Sequence, residues 1–186
     1  MEIALALVGA YLLGSVPFAY LVARAKGVNI FAVGTGNPGA ANVFRMVSKP
    51  LGVLVLILDI LKGMGAVGMG VLLGLGEWER IALGGLAIGG HLYPVFLRFR
   101  GGAGLATAIG VALALAPRTA FLAFLGALLL LPLIRSIGHT TGLGVSLFVF
   151  LGLLLREKPV PLWGTVLLFT LLLVHTFLAR RFLGRR

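Results

Sequence analysis

The sequence predicts an all-α, polytopic membrane protein with about seven transmembrane helices, its N-terminus outside and its C-terminus cytoplasmic. Three observations carry this expectation. Of the 186 residues, 60% are hydrophobic and only 11% are charged, and the mean hydropathy is +1.11; a soluble domain of this size has too little interior to hide so much apolar surface. The apolar residues fall into long runs separated by short polar gaps. The basic residues that give a formal charge of +11 lie in those gaps, where they set orientation in a bilayer rather than forming one face for nucleic acid.

The runs cover 2–23, 51–75, 80–97, 104–116, 119–134, 141–155 and 160–179, against about 20 residues for a perpendicular crossing. The first is uncharged from Ile3 to Ala23 before meeting Arg24. A cleaved signal peptide has its basic residues before the apolar core, so this run is expected to be retained. The runs at 104–116, 119–134 and 141–155 are short, as segments lining a protein-walled cavity can be. Pro117-Arg118 divides two of them, because one helix over 104–134 would place Arg118 near mid-bilayer at a cost of about 2.5–3.5 kcal/mol. With seven crossings, eleven basic residues fall inside and four outside, and Lys62 lies within a span; six crossings leave eight inside and six outside. The bias favours seven. Gly70-x-x-x-Gly74 and Gly85-x-x-x-Gly89 are expected to let helix backbones approach closely. The whole of 1–186 reads as a single membrane domain without internal repeats.

The chain has no cysteine, which excludes disulfides, a thiol nucleophile and Cys-based metal sites. There is no Ser-His-Asp set, HExxH motif or carboxylate cluster for hydrolase or metal chemistry. The polar residues suit anion handling instead. The gap after the first run reads Gly34-Thr35-Gly36-Asn37-Pro38-Gly39-Ala40-Ala41-Asn42, followed by Arg45. Glycines allow successive amides to converge on an anion, Thr35, Asn37 and Asn42 add neutral donors, and Arg45 adds a guanidinium able to grip phosphate bidentately. A tight turn carrying one orienting arginine is the alternative reading. The gap after His91-Leu92-Tyr93-Pro94-Val95-Phe96 reads Arg98-Phe99-Arg100-Gly101-Gly102-Ala103-Gly104-Leu105-Ala106-Thr107. A helix starting near Gly104 would offer free amides there; otherwise these glycines simply end one helix and begin another. Asp59 and Lys62, one turn apart in an apolar run, can meet on one helix face, as a structural ion pair or as a cavity wall. His91 and His175 lie near cytoplasmic span ends and could hydrogen-bond a substrate hydroxyl or act as simple anchors. His139 is a weaker candidate, and the tail arginines fit anionic lipid.

Together these motifs resemble the bacterial acyl-phosphate:glycerol-3-phosphate acyltransferase family of small membrane enzymes. Gly14-Ser15-x-Pro17 comes first. The first glycine loop resembles the family's GSGNxGATNxxR, Asp59-x-x-Lys62-Gly63 and His91-x-x-Pro94-x-Phe96 follow in order, and Gly101 to Thr107 resembles GGKGVAT. The resemblance implies seven spans in the bacterial inner membrane, with the motif loops cytoplasmic. It also implies acyl transfer from acyl-phosphate to the 1-hydroxyl of glycerol-3-phosphate, giving lysophosphatidic acid for phospholipid synthesis. No metal or cofactor is implied, and the partners are these two substrates and membrane lipids, with no nucleic acid, in a chain expected to be a monomer. Catalytic roles are implied for His175, Asn37 and Arg45. Substrate contacts are implied for Thr35, Gly36, Gly39, Asn42, Gly101, Gly102, Gly104, Thr107, Lys62 and Arg181.

The chain departs from the pattern at Ala103, where the family has lysine, at Ala41 for threonine, and at Leu178 for the asparagine of a third motif that includes His175 and Arg181. No glutamate follows that motif. Arg98 or Arg100 is the expected replacement for the missing lysine charge. A second reading keeps the fold and makes the chain a non-catalytic or repurposed protein that binds or transports anionic lipid precursors.

Overall fold

The computed structural model describes residues 2–134 and 137–182; for 137, 138 and 180–182 it describes the backbone alone. The described residues form nine α-helices: α1 Glu2–Ser15, α2 Phe18–Ala25, α3 Ala40–Met46, α4 Lys49–Leu72, α5 Glu77–Leu92, α6 Leu105–Leu115, α7 Pro117–Ile134, α8 Ile137–Leu154 and α9 Pro159–Phe182. A 3-10 turn at Val95–Leu97 follows α5. Among the described residues, five segments are long and apolar enough to cross a membrane: Glu2–Ala25, Lys49–Leu72, Glu77–Leu97, Pro117–Ile134 and Pro159–Ala179. Leu105–Leu115 and His139–Leu154 are shorter apolar helices.

The expected unbroken run 2–23 is interrupted between Ser15 and Phe18. Pro17 has no N–H to give a helix and disfavours helical geometry at Val16. Val16 N–H turns back to the Leu13 carbonyl instead, at 3.2 Å. The break at Pro117 falls where the cost of burying Arg118 requires it, and Arg118 is exposed. Helix α4 has Pro50 in its first turn, where a missing N–H costs nothing. It stops before Gly74, whose φ of +65° suits a helix-ending glycine.

Helix α4 is the centre of the molecule, packed against α1, α3, α5 and α6. Its contact with α6 is made by backbone, since a methyl group on Gly63 would run into the Thr107 carbonyl and one on Gly110 into the Ile60 carbonyl. Gly14 and Gly90 do the same between α1 and α5, against Ala87 and Tyr11. The expected small-residue faces are different. Gly70 meets the side chains of Leu83 and Arg80, Gly74 lies past the helix end, Gly85 touches Leu168, and Gly89 has nothing within 4 Å. Gly85 and Gly89 share a helix face that meets no neighbouring backbone, and Gly70 meets chiefly side chains, with only the Arg80 Cα at 3.7 Å.

Candidate functional site

The first glycine loop is built around Asn42. This residue sits on α3 and is 2% exposed. Its Nδ2 donates to the carbonyls of Ile30 at 3.2 Å and Val33 at 3.1 Å, while its Oδ1 accepts from Thr35 N–H at 3.2 Å. An asparagine amide has two N–H donors, so both are spent on the loop. Asn42, expected to touch substrate, turns its amide into the loop and holds the loop's shape. Gly34 and Gly36 take φ values of +55° and +66°, which only glycine adopts without penalty. Thr35 Oγ1 accepts from Asn37 N–H at 3.4 Å, and the Asn37 amide lies beside Gly39, the residue that precedes α3. Arg45 is exposed at the end of α3, its Nε donating to the Ala41 carbonyl at 3.1 Å.

The second glycine loop folds back on the end of α5 and meets the first. Gly102 N–H donates to the His91 carbonyl at 3.1 Å. A methyl on Gly101 would strike the His91 and Leu92 carbonyls, and one on Gly102 would strike His91 Nε2 and lie 3.0 Å from the Pro38 carbonyl of the first loop. Gly104, at φ +79°, turns the chain into α6. Arg100 places its guanidinium carbon 5.1 Å from the Phe31 ring centre, a cation–π contact that adds a second bridge between the loops. Arg98 and Phe99 hold positive φ values of 52° and 61°, a geometry uncommon for side-chain-bearing residues. Ala103 is exposed.

Beneath the loops lies a buried polar cluster. Lys62 Nζ is 2.8 Å from Asp59 Oδ1, with both side chains 2% exposed. That oxygen has no well-aimed hydrogen bond, so the pair is held by charge more than by direction. Lys62 also donates to the Val16 carbonyl at the α1–α2 break, at 3.0 Å, and lies 5.7 Å from the Phe18 ring centre. His91 Nδ1 is 3.6 Å from Asp59 Oδ1 and 3.2 Å from Thr107 Oγ1. Thr107, expected to face substrate, is fully buried and turned to His91.

A cleft opens where these parts meet. It is lined by the break from Gly14 to Ala19, by Pro38, by Asp59, Lys62 and His91, and by Gly101 and Gly102. It measures about 230 Å³ with its open mouth included. The cleft therefore sets glycine-rich backbone from two loops above one buried charge pair and one imidazole, and the backbone is the part of this lining suited to holding an anion.

His175 is placed differently. Its Nε2 meets Tyr93 Oη at 2.5 Å, the rings lie edge-on with centroids 5.4 Å apart, and Tyr11 Oη donates to the Tyr93 carbonyl at 2.8 Å. His175 Nδ1 is buried and has no hydrogen-bond partner among the described residues. Helices α1, α5 and α9 are thus tied through Tyr93, a residue whose role is hidden in the sequence because its partner lies 82 positions away. The Arg181 side chain lies outside the described residues. Tyr93→Phe is expected to lower stability by about 1 kcal/mol, read as a reduced melting temperature in detergent; an unchanged melting curve would show that the phenol contributes nothing to the packing of α9.

Comparison with known proteins matches this geometry to one family. The model of the glycerol-3-phosphate acyltransferase family matches residues 4–183. Glycerol-3-phosphate acyltransferase 5 of Dehalococcoides mccartyi is 38% identical over 179 residues, covering 92% of this chain and 76% of the relative. The glycerol-3-phosphate acyltransferase of Thermus thermophilus is 44% identical over 171 residues, covering 90% and 83%. The crystal structure of PlsY, an integral membrane glycerol 3-phosphate acyltransferase, in its glycerol 3-phosphate form superposes with a TM-score of 0.85 at 32% identity, covering all of this chain and 94% of that one. A matched family model over nearly the whole length, a shared fold and the ordered loops around one cleft lead to the same place: the chain belongs to the glycerol-3-phosphate acyltransferase family.

Proposed function

We propose that this protein transfers an acyl group from acyl-phosphate to the 1-hydroxyl of glycerol-3-phosphate and releases lysophosphatidic acid and phosphate at the cytoplasmic face of a bacterial inner membrane. The observation that carries the reading is the meeting of the two glycine loops, Pro38 against Gly102, over a cleft with a charged floor. In the reaction the hydroxyl oxygen forms the new ester bond, the bond from the acyl carbon to phosphate oxygen breaks, and the hydroxyl proton leaves with phosphate. An acyl-phosphate is already activated, so orientation and stabilisation of negative charge supply much of the catalysis. Backbone amides of both loops and Arg45 hold the phosphates, Thr35 and Asn37 line the first loop, and the family resemblance is what assigns His175, seated beside Tyr93, to the acceptor. The seven-crossing arrangement, N-terminus outside, follows from the basic bias and places both loops on the cytoplasmic side.

Ala103 lacks the cation its relatives' motif would carry, and we assign that charge to Arg100, assisted by Arg98. Arg100 lies over Phe31 at 5.1 Å and is exposed in the second loop, and a guanidinium suits bidentate binding of phosphate. Purified protein in lipid, given palmitoyl-phosphate and glycerol-3-phosphate, is expected to form lysophosphatidic acid, and Arg45→Ala is expected to reduce the rate at least 100-fold. Arg100→Ala should reduce it about 10-fold; full activity in both Arg98→Ala and Arg100→Ala would refute the charge replacement. A silent parent awakened by Ala103→Lys would mark a repurposed relative. Silence in both, with glycerol-3-phosphate still bound, would favour the binding or transport reading.

A further inference from the structure

We propose that the buried set Asp59, Lys62, His91 and Thr107 is a positioning device that fixes the second glycine loop over the cleft, and that none of the four acts as a substrate ligand. The inference rests on the acyltransfer reading for its kinetic test alone. A lysine inside an apolar helix is a functional candidate by default, yet Lys62 is already paired with Asp59 at 2.8 Å, donates to the Val16 carbonyl and lies by the Phe18 ring. It is a strut between α4 and the α1–α2 break. Asp59 faces Lys62 on its own helix and His91 on α5.

His91 is the key member because it holds both ends of the loop. At the start, its carbonyl accepts Gly102 N–H, and its Nε2 edge lies against Gly102. At the end, its Nδ1 meets the Thr107 hydroxyl in the first turn of α6. The loop from Gly101 to Gly104 is therefore strung between two contacts to one histidine, and Asp59 faces that histidine from α4. Helix α6 is packed backbone to backbone against α4 at Gly63 and Gly110. A buried ion pair gains little net stability over an apolar pair of the same shape. Its use here is directional, since misplacement of reacting groups by about 1 Å can cost about 100-fold in rate.

Thr107→Val removes the hydroxyl and keeps the side-chain branching, and Thr107→Ser restores the hydroxyl. In Thr107→Val the KM for glycerol-3-phosphate is expected to rise about 10-fold, with Thr107→Ser close to wild type. Hydrogen–deuterium exchange of the 98–106 segment should quicken in Thr107→Val alone. A lower melting temperature with unchanged KM and unchanged loop exchange would overturn the proposal, leaving a purely structural cluster. If the wild type transfers no acyl group, the exchange measurement still decides the positioning role by itself, so the two readings fail separately.

Discussion

Asp59→Ala is expected to destabilise the protein by about 3–5 kcal/mol, enough to remove most folded material from detergent extracts. The cost arises from the partner left behind. Without Asp59, Lys62 keeps the Val16 carbonyl at 3.0 Å and the Phe18 ring, but its charge loses the anion that compensates it. Escape to either end of α4 is not available. Lys62 stands about 20 Å along α4 from its start and about 15 Å from its end, further than its side chain can reach, and it is 4% exposed. The double variant Asp59→Leu, Lys62→Met removes both charges and is expected to lose far less stability than Asp59→Ala alone. Thermal melting of the three proteins in the same detergent measures this directly. Equal loss in the single and double variants would mean that the ammonium is not the source of the cost, and that packing around residue 59 is.

The sequence carried the fold class because lipid leaves few solutions, and apolar runs bounded by arginines nearly dictate helices. It also carried the Asp59–Lys62 contact, since a spacing of three places two side chains on one helix face. The break at Ser15–Phe18 was harder to see. Counting charges locates span ends, whereas this interruption depends on one missing backbone donor at Pro17 in an uncharged run. The packing glycines were misjudged for a related reason: spacing shows that Gly85 and Gly89 share a face, but only the neighbouring helix decides whether that face meets a backbone, as Gly63 and Gly110 do.

Direction was the largest gap in the candidate site. Residue type told that Asn42 and Thr107 carry hydrogen-bonding groups, not that those groups point inward to Ile30, Val33 and His91. Asn42 satisfies its own loop and Thr107 pairs with His91 on α5, since a buried polar group left unpaired is costly. His91 was legible as a polar residue at a span end. Its two contacts with a loop ten residues further on were not, because they depend on how sharply Pro94 and the left-handed Arg98 and Phe99 turn the chain back.

Gly102→Ala is expected to abolish acyl transfer, at least 100-fold down, while the helices remain assembled. The added methyl is only one carbon, but it enters the point where the two loops meet, striking the His91 Nε2 edge and lying 3.0 Å from the Pro38 carbonyl. Two adjustments can relieve the clash. Either the imidazole leaves Thr107, or the loop lifts from Pro38; both separate the glycine loops that are proposed to share the substrate phosphates. The backbone angle at Gly102 is not the obstacle, since Gly102 is absent from the positive-φ glycines, so the effect is one of contact rather than of forbidden conformation. Overpacking of this kind costs about 1–3 kcal/mol in stability, which leaves folded enzyme to assay. Gly68→Ala supplies the comparison. Nothing lies within 4 Å of a methyl at that position in α4, and alanine suits a helix interior better than glycine by about 1 kcal/mol, so this variant should keep wild-type activity with equal or higher stability. If Gly102→Ala also kept its activity, the meeting of the loops would be incidental to phosphate binding, and Arg45 with the first loop alone would have to carry it.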